Sequence, residues 1–258
     1  MLEAAARNLA GWHECNLRAL GISSVRSDEY WECLDPKPVP AIYHRLITLA
    51  PETTAQVVGD EAGDVSGAMS LCDSWAHLDM GGHGFSLDED GEWFVRPVGH
   101  IGRVGPRELS IERVDNEDAL AEFEHASIEG FESPGLHELG RGGLHAAGIL
   151  DDDAMTVLVG RIEGRVVTAA MAYVSDGVIG VFGVATLPRY RRHGYGAAMT
   201  WEALNVAPDL PSVLQPSASG KPGYIRLGYR PIGAFRNWFR AASGDSGPII
   251  EPESPVDE

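Results

Sequence analysis

The segment best equipped for chemistry is Arg191-Arg192-His193-Gly194-Tyr195-Gly196, with Val184-Ala185-Thr186 ahead of it and Ala197 behind. Where a helix begins near Tyr195, its first N–H groups lack intrahelical acceptors and point one way. Gly194 and Gly196 carry no Cβ to block backbone approach, and Arg191 and Arg192 add cationic donors. That set of groups cradles a pyrophosphate. A tight turn with solvated arginines uses the same residue types, so the elements around it must decide.

Those elements are legible. Three strand patterns follow one another over 155–162, 165–174 and 178–186, separated by Glu163-Gly164 and Asp176-Gly177. Both dipeptides are hairpin signals, Asp tolerating and Gly supplying positive φ, so an antiparallel meander is expected. After the basic turn, Tyr195, Met199, Ala203 and Val206 recur with helical spacing. Pro208 and Pro211 stop that helix; 212–215 suits a short strand, 222–227 a short helix ended by Gly228, and 229–240 a last strand. Upstream, Asn116 with Glu117 and Asp118 starts a helix that shows Leu120, Phe123 and Ile128 on one face and ends by Gly130. Residues 130–148 hold six glycines, with His137 and His145 among them, and read as a mobile loop able to act as a lid.

In this context the 191–196 segment resembles the Arg/Gln-x-x-Gly-x-Gly/Ala motif of the GNAT superfamily of N-acetyltransferases. Downstream, Leu214 to Tyr229, with Ser217, Ser219 and Tyr224-Ile-Arg-Leu-Gly228-Tyr229, resembles that family's C-terminal block. The likeness spans roughly residues 108–240. It implies an α/β fold, with a mixed, largely antiparallel sheet flanked by helices, and acetyl-CoA as co-substrate with an amine as acceptor. Val184, Ala185 and Thr186 would pair with the pantetheine arm. Arg191, Arg192, His193, Gly194, Tyr195, Gly196 and Ala197 would hold the pyrophosphate. Tyr224 matches the tyrosine that faces the leaving sulfur, and its ordinary pKa of about 10 keeps it protonated as a donor. Many members carry an Asn ahead of this Tyr; here Ser217 and Ser219 occupy the region and offer hydroxyls to the cofactor. Glu129, Phe131, Glu132 and His137 lie where the acceptor site is often built. A non-catalytic acyl-CoA-binding or protein-interaction module on the same fold is the rival reading.

The rest of the chain constrains rather than identifies. Its 258 residues are 44% hydrophobic and 22% charged, ordinary globular usage that excludes wholesale disorder and coiled coil. Twenty Lys and Arg against 38 Asp and Glu leave −18, and Lys37 and Lys221 are the only lysines. That balance argues against nucleic acid as a partner; the excess acids keep the protein soluble, and the same surface would favour cationic partners such as amines. The three cysteines, Cys15, Cys33 and Cys72, form no Cys-x-x-Cys pair and read as free thiols. Met1-Leu2-Glu3 lacks a basic flank and no long apolar run occurs, so neither signal peptide nor membrane span is expected, and the expected compartment is the cytoplasm. No residue pattern speaks to oligomeric state.

Residues 2–20 show a helical apolar pattern (Leu2, Ala6, Leu9, Ala10, Leu17, Leu20) that stops at Gly21. The stretches 59–70 and 79–91 are rich in Gly and Asp and read as short elements joined by turns. A boundary is expected near residue 106. This divides the chain into an N-terminal accessory domain (1–106), with a degenerate GNAT-like copy as a variant of that reading, an acetyltransferase domain (107–241), and an acidic tail (242–258) too polar to order itself. The stretch from Asp73 to Met80 reads as an inter-domain contact. Gly244-Asp245-Ser246-Gly247-Pro248 resembles a serine-protease nucleophile segment but sits in that tail, away from any base. His77 with His83, and His137 with His145, lack metal-ligand spacing, so no metal is expected.

Overall fold

The structure is a computed structural model that describes residues 1–33, 35–37, 39–63, 67–99, 102 and 105–242. The tail expected to stay disordered, with its protease-like segment, lies outside the described residues apart from Ala242.

The N-terminal half contains α1 (Leu2–Ala19), β1 (Val25–Arg26), β2 (Tyr30–Glu32), β3 (Leu46–Thr48), α2 (Ala55–Gly63), β4 (Met69–Asp73) and β5 (Ser86–Arg96). There follow β6 (Ser110–Arg113), α3 (Glu117–Phe131), β7 (Met155–Ile162), β8 (Arg165–Ser175), β9 (Val178–Thr186), α4 (Tyr195–Leu204), β10 (Ser212–Leu214), α5 (Lys221–Arg226) and β11 (Arg230–Arg240). Among the described residues these strands form one sheet in the order β1-β2-β3-β4-β11-β5-β10-β9-β8-β7-β6. The β3–β4 and β9–β10 pairs are parallel and the others antiparallel. The fold is therefore the mixed, largely antiparallel α/β sheet that the sequence implies.

Local chemistry explains the central meander. At its two hairpins Glu163 and Gly164 take φ of 49° and 80°, and Asp176 and Gly177 take 52° and 75°, the paired positive values that match the twist of the flanking strands. Helix α3 starts where expected: Asn116 Oδ1 accepts from Ala119 N at 3.0 Å, and Glu117 and Asp118 sit in the first turn.

Strands from both sides of residue 106 alternate in the sheet. β11 pairs with β4 on one edge and β5 on the other, and β5 also pairs with β10. The acidic 86–91 stretch, which composition alone gives to turns, is the first half of β5. Its pairing with β11 supplies the backbone partners that its own residues do not specify.

Two apolar layers clamp the sheet. On one face α1 and α3 bury Leu9, Trp12, Leu17, Leu120 and Phe123 against Trp93, Val157, Met171 and Val213. On the other, α4 and α5 bury Met199, Leu204 and Leu227 against Phe94, Leu158, Ile179 and Leu214. A third cluster joins α2 to β3 and β4 and takes in Leu78 and Met80 from the 73–80 stretch. The three cysteines are buried and free, and among the described residues no helix is long and apolar enough to cross a membrane.

The 130–148 segment departs from a mobile loop. The buried carboxylate of Glu124 accepts the N–H groups of Gly142 (2.7 Å), Leu144 (2.7 Å) and His145 (3.0 Å). Leu136, Leu144 and His145 are themselves buried, so the segment is fastened to α3 by charge-assisted hydrogen bonds. Glycine count alone does not show a distant carboxylate that collects those amides.

Candidate active site

β9 and β10 run side by side at Ile179–Ser212 and Gly180–Val213 and then part. The β8–β9 register shifts between Ala169 and Met171, opposite Gly183, which takes φ +58°. This left-handed conformation suits glycine, and a bulge of this kind bends its strand. Between the separated strands lies a gap of 180 Å³.

Successive side chains on a strand face opposite ways, so the gap is lined from both faces of the sheet. On the α4–α5 side its walls are Val181, Val184 and Leu214, with Tyr224 from α5. On the α1–α3 side they are Trp93, Phe182 and Val213, with Ala5 from α1 and Phe131 from the end of α3. Gln215 and Ser217 contribute the remaining side chains.

The first turn of α4 opens beside this gap. A Cβ placed on Gly196 would lie 3.8 Å from Val184 Cγ1 and 3.7 Å from Thr186 Oγ1. Gly194 begins the helix at φ +84°, and no side chain caps it. Ala198 N is the amide that reaches Gly194 O, at 3.0 Å, which leaves the amides of Tyr195, Gly196 and Ala197 without intrahelical acceptors. These amides and the positive end of the helix form an anion cradle at the gap's edge.

The two arginines differ. Arg191 is engaged by the protein: Nη2 donates to Gly130 O at 2.8 Å and meets Glu132 Oε2 at 2.7 Å, and Nε donates to Thr186 O at 3.2 Å. Arg192 is exposed, at φ +65°, with no ion-pair partner among the described residues. The His193 ring stacks on Tyr195, centroids 5.6 Å apart, and its Nδ1 lies 2.8 Å from Arg191 O. Thus Arg191 ties the cradle to the end of α3, and Arg192 keeps its charge available.

Tyr224 stands in the wall of the gap. Burial pushes its pKa up to about 12, with the Thr200 side chain opposing. Thr200 Oγ1 donates to Gly196 O at 2.9 Å in the first turn of α4. At neutral pH the phenol keeps its proton and can donate it. Ser217 Oγ accepts from Gly220 N (3.2 Å) and lies 3.3 Å from Ser219 Oγ, but only Ser217 lines the gap.

Of the three backbone positions expected along the cofactor arm, Val184 borders the gap. Ala185 O accepts from Thr168 Oγ1 at 2.7 Å and Thr186 O from Arg191 Nε, whereas residues 181–184 border the gap. Of the four acceptor-side residues, only Phe131 reaches it. Glu132 holds Arg191, and Glu129 faces His137 at 3.9 Å and lines a separate groove of 610 Å³ with Arg165 and Arg189. Ala5, Trp93 and Phe182 were not among the residues singled out from sequence. The glycine inside a strand pattern at 183 was the available signal for the bulge; none marked the arrival of α1. Among the described residues, no cluster of three or more His, Cys, Asp and Glu could hold a metal ion.

Residues 117–214 match the model of the acetyltransferase (GNAT) family. This stretch is a GNAT acetyltransferase domain. No curated protein matches the chain. Among solved structures it is similar to a GCN5-related N-acetyltransferase from Kribbella flavida, with 19% identity over 95% of this chain and 97% of that one and a TM-score of 0.60. It also resembles a functionally unknown conserved protein from Staphylococcus epidermidis, with 16% identity over 90% of this chain and 100% of that one and a TM-score of 0.63. A GCN5-related N-acetyltransferase from Sphaerobacter thermophilus has 14% identity over 92% of this chain and 93% of its own, with a TM-score of 0.51. At these identities the likeness is one of fold, and it extends through the N-terminal half. The GNAT domain contributes β9, the cradle and β10; Ala5 and Trp93 precede it, and Ser217 and Tyr224 follow it.

Proposed function

We propose that this chain transfers an acetyl group from acetyl-CoA to an amine, directly, with both bound together. The observation that carries this reading is the combination of a gap through the sheet, a helix N-terminus opening at its edge and a protonated tyrosine in its wall. The residues fit the cofactor: the amides of residues 195–197 and the Arg192 guanidinium suit a pyrophosphate, and the separated stretch 181–184 suits an extended amide-bearing arm. When bound, acetyl-CoA supplies an acetyl group activated as a thioester.

The protein's part is then positioning and proton management. One C–S bond is exchanged for one C–N bond. The neutral amine nitrogen loses a proton to solvent and the thiolate gains one from Tyr224 Oη, which solvent reprotonates. The apolar sides of the gap keep water from competing with the amine.

Thermal unfolding with acetyl-CoA tests the cofactor site without knowledge of the acceptor. At about one hundred times Kd, binding adds roughly 2.7 kcal/mol and should raise Tm by about 5–10 °C for a chain of this size. No rise with acetyl-CoA or longer acyl-CoAs would overturn the reading. A rise without amine-dependent CoA release across an amine panel would make the chain a non-catalytic acyl-CoA binder.

A further inference from the structure

The two sides of the gap differ in chemistry, and the difference bears on the acceptor. The α4–α5 side adjoins the amide cradle and holds Tyr224. The α1–α3 side is walled by Trp93, Phe131 and Phe182, with the methyl of Ala5, and none of the residues lining the gap is charged. We propose that the acceptor is a primary amine carried on an apolar, ring-bearing body, entering from the α1–α3 side. The proposal rests on the acetyltransferase reading and names the substrate class for that site.

The aromatic walls are held in place. Phe182 stacks on Trp12 of α1, centroids 4.7 Å apart and planes 14° apart. Trp93 Nε1 donates to Ser74 O at 3.0 Å, and its ring meets Phe235 edge-on at 5.8 Å. Phe131 is 52% exposed beside these fixed rings, a large apolar side chain kept in solvent at the end of α3. A ring entering beside Phe131 removes apolar area from water on both partners.

The same walls disfavour polycations. Two carboxylates on neighbouring elements are already ion-paired, Glu132 with Arg191 and Glu92 with Lys221. Several ammonium groups brought into the gap would be desolvated without partners. A single ammonium on an apolar body gives one proton to solvent before it attacks, and desolvation lowers its pKa toward the neutral nucleophile. The net charge of −18 draws amines of every kind to the surface, and the gap then selects among them.

The test uses the full chain at saturating acetyl-CoA and follows thiol release with 2-phenylethylamine, a phenylalanyl dipeptide amide, ethanolamine, spermidine and kanamycin. The first two distinguish a free amine from a peptide amino terminus as the source of the ring. For at least one of them kcat/KM should exceed those of the other three by about tenfold or more. Phe131→Ala should shrink that ratio by raising the ring amine's KM more than it lowers kcat, and Phe131→Leu should restore part of it. Calorimetric titration of 2-phenylethylamine and the dipeptide amide into the protein with CoA gives a readout independent of turnover. Acetyl-CoA binding together with equal rates for all amines, or a preference for spermidine or kanamycin, overturns the acceptor class and leaves the acetyltransferase reading intact. Absence of an acetyl-CoA response overturns that reading instead; ring-amine binding by calorimetry would still support the aromatic site, and its absence would overturn both.

Discussion

Acid should unfold this protein through a group of histidines that hold α1 in place. His145 is buried, with Nδ1 2.9 Å from Asn16 Oδ1 of α1 and 3.1 Å from Tyr43 Oη, and with the Phe123 ring and the Glu124 carboxylate beside it. Burial pushes its pKa down to about 3 and that of His44 down to about 4. His13 of α1, stacked on His44 at 5.3 Å, is held well below the ordinary value by burial and by that neighbour. The unfolded imidazole titrates near 6.5, so on acidification the unfolded chain binds protons that the native state refuses. Native stability therefore falls as pH drops through 6.5 toward the depressed native values. Between pH 7.5 and 5.0 each such group costs about 2 kcal/mol, so His44 and His145 together cost about 4 kcal/mol out of a typical 5–15 kcal/mol, with His13 acting in the same direction. Two effects oppose this: acid relieves the repulsion of a −18 chain, and Glu32 and Glu89, pushed up by burial, take up protons more readily in the native state. The discriminating measurement is urea unfolding at both pH values for the parent and His145→Gln, which keeps polar contacts but does not titrate. The variant should lose about 2 kcal/mol less than the parent over that interval. An equal loss in both would refute the reasoning, because His145 would then titrate as if it were in water.

Three further perturbations separate the roles assigned at the site. Tyr224→Phe should lower kcat by about 100-fold or more while changing acetyl-CoA affinity little, as stopped-flow rates and calorimetry would show. Arg192→Ala should weaken acetyl-CoA binding several-fold in a salt-dependent way and leave Tm nearly unchanged; Arg191→Ala should lower Tm as well, because it releases Gly130 O, Thr186 O and Glu132. Gly180→Ala places a Cβ 1.9 Å from Asn8 Oδ1 and 2.4 Å from Phe182 Cε2, so the Asn8 side chain and the Phe182 ring must shift where β9 leaves β10. It should cost about 1–3 kcal/mol and blunt the thermal response to acetyl-CoA.

The meander, the hairpin at Asp176-Gly177, the N-cap at Asn116 and the helix after the basic turn could be read from residues because each depends on neighbours a few positions away. Backbone conformation at Gly194 and the orphan amides of a helix start are local properties, so the open start of α4 was legible too. The length of β5 was not, since Leu87, Glu89 and Asp90 become strand only by pairing with β11, more than one hundred and forty residues away. Nor was the fastening of 140–145, which depends on the single carboxylate of Glu124 on another element.

By itself the sequence determined the open helix start at Gly194 and the order of strand, turn and helix around it. Tertiary structure alone decided which side chains face one another across the gap. Ala5, Trp93, Phe131 and Tyr224 come from four separate parts of the chain, and no periodicity within any of them encodes the others. The same is true of Arg191, which ion-pairs with Glu132 although residue type marks it for an anionic ligand. Local propensity acts over a few residues, whereas a site is assembled by packing over the whole chain; the open helix start belongs to the first and the walls of the gap to the second.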